Sequence, residues 1–308
     1  MKNVKQMSLE TKMSVGQLIN EMSKTGVLGA GRLAKGVDVL VEMFEDKNYT
    51  VFLGISGPAV PGGLRKIFGD LIDRGYVNAV VSNGANIVHD IVESLGFKHI
   101  KGEFLADDEK LREKKIGRIG DIYIQQKAFE ALEKKTYAVL KAIPEKERIG
   151  ISIRKLLYEF GKSIKDKESI LFKASKRGVP IFCPGFVDSM LGLNVWTFSQ
   201  LNKISVDSVA DLNELSNIVF DSKKTGAIIL GGGLTKHYIL GANILREGVD
   251  AAIQITLDRP EGGSLSGAPL EEAISWRKAK EKGKLVTIIG DMTIIFPIMI
   301  AAAFEKIR

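Results

Sequence analysis

Short apolar runs alternate with amphipathic segments along nearly the whole chain. In the amphipathic segments apolar residues recur every three or four positions, as in residues 33–44 and 64–72, which predicts helices with one buried face. Apolar or β-branched runs predict strands over residues 51–55, 79–82, 179–182, 227–230, 251–255 and 285–289. Because strands that alternate with helices form parallel sheets, the pattern predicts an α/β fold with a mainly parallel sheet and helices on both faces.

Three further segments complete this outline. Residues 1–28 are polar and predict an N-terminal helical arm outside the sheet, ahead of a domain that covers residues 29–308. Residues 126–165 are highly charged and predict helices that Pro144 interrupts. The apolar run 292–304 is shorter than the roughly 18–20 residues that span a bilayer. We therefore expect a cytoplasmic protein that has no membrane partner.

The charge pattern and the scarcity of metal-ligating residues exclude two classes of function. The formal net charge of +7 raises the question of nucleic-acid binding. However, Lys and Arg are interleaved with Asp and Glu, as in residues 145–148 and 165–168, which is typical of solvated helix faces, so no nucleic-acid partner is expected. The 3 histidines and the single Cys183 have no zinc spacing, so no metal site is expected either. Cys183 lies in an apolar run, where we expect a buried and inert thiol.

Glycine-rich turns follow three of the predicted strands. They are Ser56-Gly57-Pro58, Ser82-Asn83-Gly84-Ala85-Asn86 and Gly231-Gly232-Gly233. Such turns let a ligand approach the backbone beside the N–H groups of a helix start, and parallel strands place them along one edge. The sequence therefore predicts a ligand crevice at the carboxyl edge of the sheet. The G-x-G-x-x-A motif of residues 29–34 follows no strand, and we interpret it as a joint between two helices.

The three histidines differ in their predicted positions. His89 and His237 fall in the first turns of helices that follow two of the glycine turns, whereas His99 lies in a charged, surface-like segment. No G-x-S-x-G elbow accompanies them, which leaves a hydrolase as a minor hypothesis.

The segment 262–278 is the most unusual in the chain. A Gly/Ser loop leads to Pro269, which is expected to start a helix with glutamates in its first turn. Trp276 lies four residues after Glu272 on the same helix face, and Lys278 follows. A Trp beside a Lys can exclude water and lower the pKa of the amine, as a nucleophilic lysine requires. From the spacing alone, a packed Trp276 with a solvated Lys278 is the favoured interpretation.

Several of these motifs together resemble the deoxyhypusine synthase family. The matching segments follow one another from about residue 30 to residue 304. They are Phe52-Leu53-Gly54, Gly63-Leu64-Arg65, residues 116–120, Leu230-Gly231-Gly232-Gly233 with Lys236-His237, Ser266-Gly267-Ala268, residues 272–276 with Lys278, and Gly290-Asp291 ahead of Phe296-Pro297. The resemblance implies a Rossmann-like single-domain subunit, NAD as the cofactor, and a homotetramer of dimers whose active sites are shared between subunits.

The resemblance also implies a reaction and its residues. NAD oxidises spermidine, the butylamine group passes as an imine to an enzyme lysine and then to a lysine of the hypusine-bearing translation factor precursor, and the same NADH reduces the product. Lys278 would be the imine-forming lysine, His237 would lie near the oxidised carbon, and Trp276 would form a wall of the amine tunnel. The implied amine-binding residues are Glu272, His89 and Ser264. The implied NAD-binding residues are Ser56, Gly57, Ser82, Asn83, Gly84, Asp188, Gly232, Gly233 and Asp291.

The chain departs from the family where further polyamine-binding acids are expected. Val88, His89, Leu193 and Leu265 stand at those positions. A polycation needs carboxylates to replace its water shell, and each charge-assisted contact contributes roughly 1.5–3 kcal/mol. His89, partly protonated near a pH of about 6.5, is expected to repel a cation. Arg277 also replaces the family's small residue before the lysine, although adjacent residues of a helix point apart.

Two substrate hypotheses therefore stay open. The first is a deoxyhypusine synthase with a rearranged amine site, and the second is a related enzyme that transfers an aminoalkyl group between small amines, as in homospermidine synthesis. The retained catalytic residues argue against a third hypothesis, an NAD-binding protein without activity.

Overall fold

The computed structural model describes residues 3–307, so residues 1–2 of the predicted arm and residue 308 of the predicted domain lie outside it. The predicted fold class is confirmed, because helices alternate with strands and the main sheet is parallel. The fold comprises two compact units. The terminal unit contains the described residues up to Ser56 and from Leu215 onward, and the central unit is Gly57–Glu214.

Helices alternate with strands along most of the chain, as the hydrophobic pattern predicts. The helices are α1 (Val15–Thr25), α2 (Leu28–Glu45), α3 (Arg65–Asp73), α4 (Gly84–Ser94), α5 (Asp108–Glu113), α6 (Lys127–Ala142), α7 (Ile153–Ser163), α8 (Ile170–Arg177), α9 (Met190–Ser199), α10 (Asp211–Asp221), α11 (Leu234–Ala242), α12 (Glu272–Ser275) and α13 (Met292–Lys306). The strands are β1 (Tyr49–Ile55), β2 (Ala79–Asn83), β3 (Ile100–Lys101), β4 (Ile116–Ile119), β5 (Ile122–Gln125), β6 (Ile151–Ser152), β7 (Ile181–Gly185), β8 (Val206–Asp207), β9 (Lys224–Leu230), β10 (Val249–Thr256) and β11 (Ala279–Ile289).

Each apolar run that predicted a strand overlaps one in the structure. The strands concerned are β1, β2, β7, β9, β10 and β11. Pairing makes some of them longer than their apolar runs. Lys224 of β9 pairs with Tyr49 of β1, and the polar start of β11 pairs with β10 from Ala279 onward. Backbone hydrogen bonds to a neighbouring strand thus extend these strands through residues whose side chains carry no strand signal.

The terminal unit contains parallel strands in the order β11, β10, β9, β1. Ile55 pairs with Leu230, and Leu230 in turn pairs with Ile255, so these strands end at the same level. A Cβ at Gly226 of β9 would meet Met43 of α2, whereas one at Gly54 of β1 would meet Ile239 of α11. Gly226 pairs with Val51, three residues before Gly54, and side chains alternate along a strand. The two helices therefore cover opposite faces, as the hydrophobic pattern predicts.

Helix α1, within the predicted arm, packs against α2 and α13. Ser14 and Gln17 form a capping box at its start, and Glu305 of α13 accepts a hydrogen bond from the Gly16 amide at 2.9 Å. Gly26 ends the helix with a φ of 69°, and α2 begins two residues later. The glycine motif of residues 29–34 follows no strand, as predicted, but it lies inside the first turns of α2, so the interpretation of the motif as the joint is wrong; the joint is Gly26–Val27, just before it. A boundary at residue 28 stays a prediction.

In the central unit β2 and β7 are parallel, and β3, β5 and β4 form an antiparallel sheet. Pro144 separates α6 from the short turn that precedes α7, as predicted. Asp90 of α4, fully buried, accepts hydrogen bonds from the side chains of Arg65 and Ser169 and from the Leu171 amide. One carboxylate thus joins α3, α4 and α8 in the core.

The apolar run 292–304 forms most of α13, which continues through Pro297. Of the helices in residues 3–307, none combines the length and the apolar character that a membrane crossing requires.

Candidate active site

A cavity of about 320 Å³ in the terminal unit brings together four of the predicted residues. His237 comes from the first turn of α11, while Glu272, Trp276 and Lys278 come from the segment between β10 and β11. The glycine turn after β9 starts α11 close to the sheet, and this places His237 at the cavity. The two chain segments that carried the family resemblance thus meet around one space.

The prediction that Lys278 shares a helix with Glu272 and Trp276 is wrong. Helix α12 comprises only Glu272–Ser275, and Pro269 precedes it in a series of tight turns. Arg277 then adopts a left-handed conformation with a φ of 55°, which stops the helix. Lys278 therefore lies at the entrance to β11. Its amide donates to the Ala273 carbonyl at 2.9 Å, and its carbonyl accepts from the Val249 amide at 3.1 Å, so its backbone is held on both sides.

The Lys278 side chain lies over the indole of Trp276. Its Nζ is 5.3 Å from the ring centroid, within the range of a cation–π contact. Trp276 remains 64% exposed, so burial beside it does not exclude water from Lys278 within one chain. Lys278 forms no salt bridge within residues 3–307. A dry site would therefore need a further cover over the indole.

Lys236 also lines this cavity, although no role was predicted for it from the sequence. Its side chain is buried, and its Nζ donates to Gln254 Oε1 at 2.9 Å, to the Leu265 carbonyl at 2.9 Å and to the Ala268 carbonyl at 2.6 Å. Burial lowers the pKa of Lys236 to about 8, although the carboxylates of Glu272 and Glu271 oppose this. The one sequence signal for a role of Lys236 is its position directly before His237, in the helix that follows the glycine turn.

Gln254 extends the contacts of Lys236 to the glycine turn. Its Nε2 donates to the Gly231 carbonyl at 3.0 Å and to the Ser266 carbonyl at 2.8 Å. A Cβ on Gly232 would lie 2.6 Å from the Cα of Ser266, so only glycine fits there. The glycine turn and the loop 264–268 are therefore packed and hydrogen-bonded as one wall of the cavity.

The structure places the predicted cofactor residues of the terminal unit at one edge. Ser56 follows β1, and its Oγ donates to the Gly232 carbonyl at 2.9 Å. Gly233 has a φ of 59° and begins α11. Asp291 follows β11 and caps α13, since its Oδ1 accepts from the Thr293 amide at 2.7 Å. The carboxyl edge that the sequence predicted for a ligand is thus present.

A second cavity, of about 400 Å³, lies in the central unit and brings together four other predicted residues. They are Asn83, Gly84, His89 and Asp188. Asn83 caps α4 through its Oδ1, which accepts from the Asn86 amide, and the Gly57 carbonyl accepts from Asn86 Nδ2 at 2.9 Å. Ser82, buried just before this turn, donates to the Asn83 carbonyl at 3.0 Å.

His89 lies in the second turn of α4, not the first, and it contacts His99. His89 Nδ1 lies 2.9 Å from His99 Nε2, and His99 Nδ1 lies 2.8 Å from Glu93 Oε1. The His99 side chain is only 6% exposed, so the prediction of a surface position is wrong. Burial, and then the charge of His99, lower the pKa of His89 to about 4. His89 is therefore neutral near pH 7, and the prediction that it repels a cation is also wrong.

The apolar residues at the positions of the missing acids lie in different places. Val88 lines the central cavity and Leu265 the terminal one, whereas Leu193 is 47% exposed on α9. Ser264 is exposed, and its Oγ accepts from the Gly267 amide at 3.3 Å. The neighbours of Ser264, and not Ser264 itself, line the terminal cavity.

Two further features concern alternative chemistry. Cys183 is buried, and burial raises the pKa of its thiol to about 12, so it is not a nucleophile. Within residues 3–307 no group of three or more His, Cys, Asp or Glu side chains is arranged to hold a metal ion.

Comparison with known proteins decides the family. A deoxyhypusine synthase family model matches residues 17–303. The chain is 47% identical over 305 residues to the "Probable deoxyhypusine synthase" of Methanothermobacter thermautotrophicus, with 99% of each chain covered. The chain belongs to the deoxyhypusine synthase family. A protein of the same description from Methanosarcina thermophila is 42% identical over 305 residues, with 99% of this chain and 95% of that one covered.

The deoxyhypusine synthase fold is shared with a solved structure. A crystal structure from Entamoeba histolytica, assigned as a deoxyhypusine synthase, matches with a TM-score of 0.68 at 20% identity and covers 98% of this chain and 97% of that one. The family match spans both cavities, and membership implies a transferase. The resemblance inferred from the motifs is therefore confirmed at the level of the family.

Proposed function

We propose that this deoxyhypusine synthase family member transfers the butylamine group of spermidine to a specific lysine of the hypusine-bearing translation factor precursor. In this proposal NAD is the cofactor and an imine on Lys278 is the intermediate. The supporting observation is that Lys278, His237, Glu272 and Trp276 line one cavity although they come from two separate chain segments. A lysine, an acid–base group, a carboxylate and an aromatic face are the parts that amine transfer through an imine requires.

The terminal cavity has features suited to an amine. The Glu272 carboxylate can pair with an ammonium group, and the face of Trp276 attracts a cation. The buried ammonium of Lys236 lines the same cavity and disfavours a second positive charge there, including one on Lys278. A neutral Lys278 is needed because only an unprotonated amine attacks carbon.

The glycine turns at the carboxyl ends of the strands present backbone that is suited to bind NAD. Apart from its chain neighbours and the backbone of its own helix, no atom of the described residues lies within 4 Å of the place where a Cβ on Gly233 would stand, so a ligand can approach that backbone closely. The Asp188 side chain is exposed at the central cavity. In the terminal unit, Asp291 is half-buried after the end of β11, and exposed or half-buried acids are suited to bind ribose hydroxyls. Further NAD contacts are assigned to Ser56, Gly57, Ser82, Asn83, Gly84 and Gly232. Bound NAD would accept a hydride from the amine carbon and return it to the product.

The residues around Lys278 would then handle the amine and its protons. Lys278 Nζ attacks the oxidised carbon, and the departing amine takes up a proton. His237 is exposed at the cavity and can carry that proton. The backbone bonds of Lys278 to Ala273 and Val249 hold the nucleophile in place while the imine passes to the acceptor lysine.

A second candidate function is favoured by the apolar residues at the positions of the missing acids. Val88 and Leu265 present no charge to a spermidine ammonium in either cavity. An ammonium group that is buried against these side chains without a carboxylate partner loses roughly several kcal/mol of hydration free energy. Transfer between small amines, with homospermidine as a product, requires fewer carboxylates and is the alternative.

Assembly is part of the proposal, because a single chain leaves Trp276 open to water. Large apolar side chains are also exposed on and beside α9, among them Leu193, Trp196 and Leu201. A patch of this kind is typical of an interface. We expect a homotetramer, or next a dimer, and light scattering that found only the 33.7 kDa monomer at micromolar concentration would contradict shared sites.

The experiment that separates the two functions offers both acceptors to the enzyme. Enzyme, NAD and spermidine are incubated either with the precursor protein or with putrescine, and the products are identified by mass spectrometry. We expect a butylamine group on one lysine of the precursor. Homospermidine without modified precursor would select the alternative, and no product with either acceptor would reject both.

A further inference from the structure

Three polar side chains form a continuous series behind the central cavity. Glu93 and His89 belong to α4, and His99 follows the helix. The series runs from Glu93 Oε1 through both ring nitrogens of His99 to His89 Nδ1, with separations of 2.8 Å and 2.9 Å. We propose that Glu93 and His99 fix His89 as a hydrogen-bond acceptor, so that its Nε2 binds an N–H group of the amine substrate. This inference rests on the proposed function.

The direction of each hydrogen bond follows from the carboxylate. Burial opposes the ionisation of Glu93, but hydrogen bonds from His99 and Lys98 outweigh it, and the pKa of Glu93 is lowered. An ionised carboxylate only accepts, so His99 Nδ1 must donate. In a neutral His99 the Nε2 is then the acceptor, which requires His89 Nδ1 to donate. His89 Nε2 is left without a proton.

The unprotonated Nε2 of His89 is available to a ligand. His89 lines the cavity, and within residues 3–307 its only hydrogen-bonding partner is His99. The buried side-chain atoms that form no hydrogen bond within the described residues belong to Arg148, Arg154 and Asn194, so His89 Nε2 is not sealed in the core. A neutral acceptor in a position where family members carry an acid suits an amine N–H without adding a charge.

The groups around the series favour this arrangement. Lys98 and Arg65 contact the other oxygen of Glu93, at 3.3 Å and 4.0 Å, and so hold it ionised. Phe129 of α6 packs edge-on against the His89 ring and carries no charge. Arg118 and Asp188 are the charged side chains that line the cavity with His89. Asp90, the next residue of α4, is already occupied by Arg65 and Ser169.

The same geometry predicts a reversal in acid. A proton added to the pair of histidines lets His99 donate at both nitrogens, and His89 must then accept at Nδ1. Its Nε2 would carry the proton and would donate into the cavity. Amine binding should therefore weaken when the pair is protonated.

The test combines a matched set of variants with spectroscopy of the whole enzyme. His99→Phe keeps a ring but removes the acceptor, whereas His99→Gln can accept from His89 and donate to Glu93. We expect His99→Phe to raise the KM for the amine by about two- to tenfold, with kcat and the KM for NAD little changed, and His99→Gln to restore most of the loss. Lys101→Gln, at an exposed lysine of β3 outside this series of side chains, is the control.

Long-range proton–nitrogen NMR of histidine-labelled wild-type enzyme reads the tautomer without any turnover. An unprotonated His89 Nε2 near pH 7 supports the inference, and a protonated one overturns it, even if His99→Phe fails to fold. Equal effects of Phe and Gln at position 99 would show a merely structural role, and a rise in the KM for NAD alone would assign His89 to the cofactor. Absence of all transfer by wild-type enzyme would instead reject the proposed function.

Discussion

The buried Lys236 makes a prediction about stability and pH. Its pKa falls from 10.5 to about 8 in the folded chain, because burial disfavours the ammonium. Between these values the unfolded chain binds a proton that the folded chain does not, so the free energy of unfolding rises with pH across this window. Lys236 thus contributes stability that is present above pH 10.5 and is lost as the pH falls towards 8.

The size of the effect follows from the shift. Each pKa unit corresponds to about 1.4 kcal/mol, so the full contribution is on the order of 3 kcal/mol, with about 1.4 kcal/mol developed at a pH of about 9. Lys236→Met, which has no proton to lose, should lack this slope. Lys236→Met should also be less stable than wild type near neutral pH, because Gln254 Oε1 and the Leu265 and Ala268 carbonyls lose their donor. Each unsatisfied acceptor costs roughly 1–3 kcal/mol, and removal of the buried ammonium offsets part of this loss.

Urea unfolding of wild type and Lys236→Met at several pH values measures the difference directly. Lys282→Met, a substitution of an exposed lysine, is the control for other groups that titrate in alkali. The difference between wild type and Lys236→Met should widen as the pH rises from about 8, whereas the control should show no such trend. A difference that is constant across the window, or that narrows, would refute the assignment of a lowered pKa to Lys236.

Substitutions at three further positions test other parts of the structure. Arg277→Gly should leave the free energy of unfolding unchanged or raise it by up to about 1 kcal/mol, because glycine adopts a positive φ without strain. Arg277→Val should lower the free energy of unfolding, and denaturant titration of both variants measures the difference. Asp90→Ala should lower the free energy of unfolding by about 3–5 kcal/mol, since Arg65 loses its buried partner and keeps its ion pair with Asp166, and the buried donors of Ser169 and Leu171 lose their acceptor; a loss below about 1 kcal/mol would contradict this. Glu272→Gln should raise the KM for the amine about tenfold or more through the loss of a charge-assisted contact, and an unchanged KM in steady-state kinetics would remove Glu272 from the amine site.

The sequence predicted the strands and the turns that follow them because both depend on local patterns. A buried strand such as β9 needs an apolar run, and the turn after it needs glycine at Gly231 and Gly233, where φ is positive. The family motifs identified Lys278 and His237 in the same way. These features depend on consecutive residues, so they could be predicted without a structure.

The features that the sequence missed depend on contacts between distant or atypical residues. Nothing in the local pattern shows that Arg277 leaves the helix, since Arg is an ordinary helix former and its left-handed φ is fixed by the pairing of Lys278 with Val249. Lys236 is buried only because three oxygens from remote segments meet it. His99 lies among charged residues in sequence, yet it packs against His89 in space.

The proposed role of Lys278 as the covalent nucleophile can be tested directly. The enzyme is incubated with NAD and spermidine, reduced with borohydride, digested and analysed by mass spectrometry, with Lys278→Ala treated in parallel. We expect a butylamine adduct on the peptide that carries Lys278, and no adduct in the variant, which should still bind NAD. An adduct on Lys236 or Lys280, or continued transfer by Lys278→Ala, would contradict it.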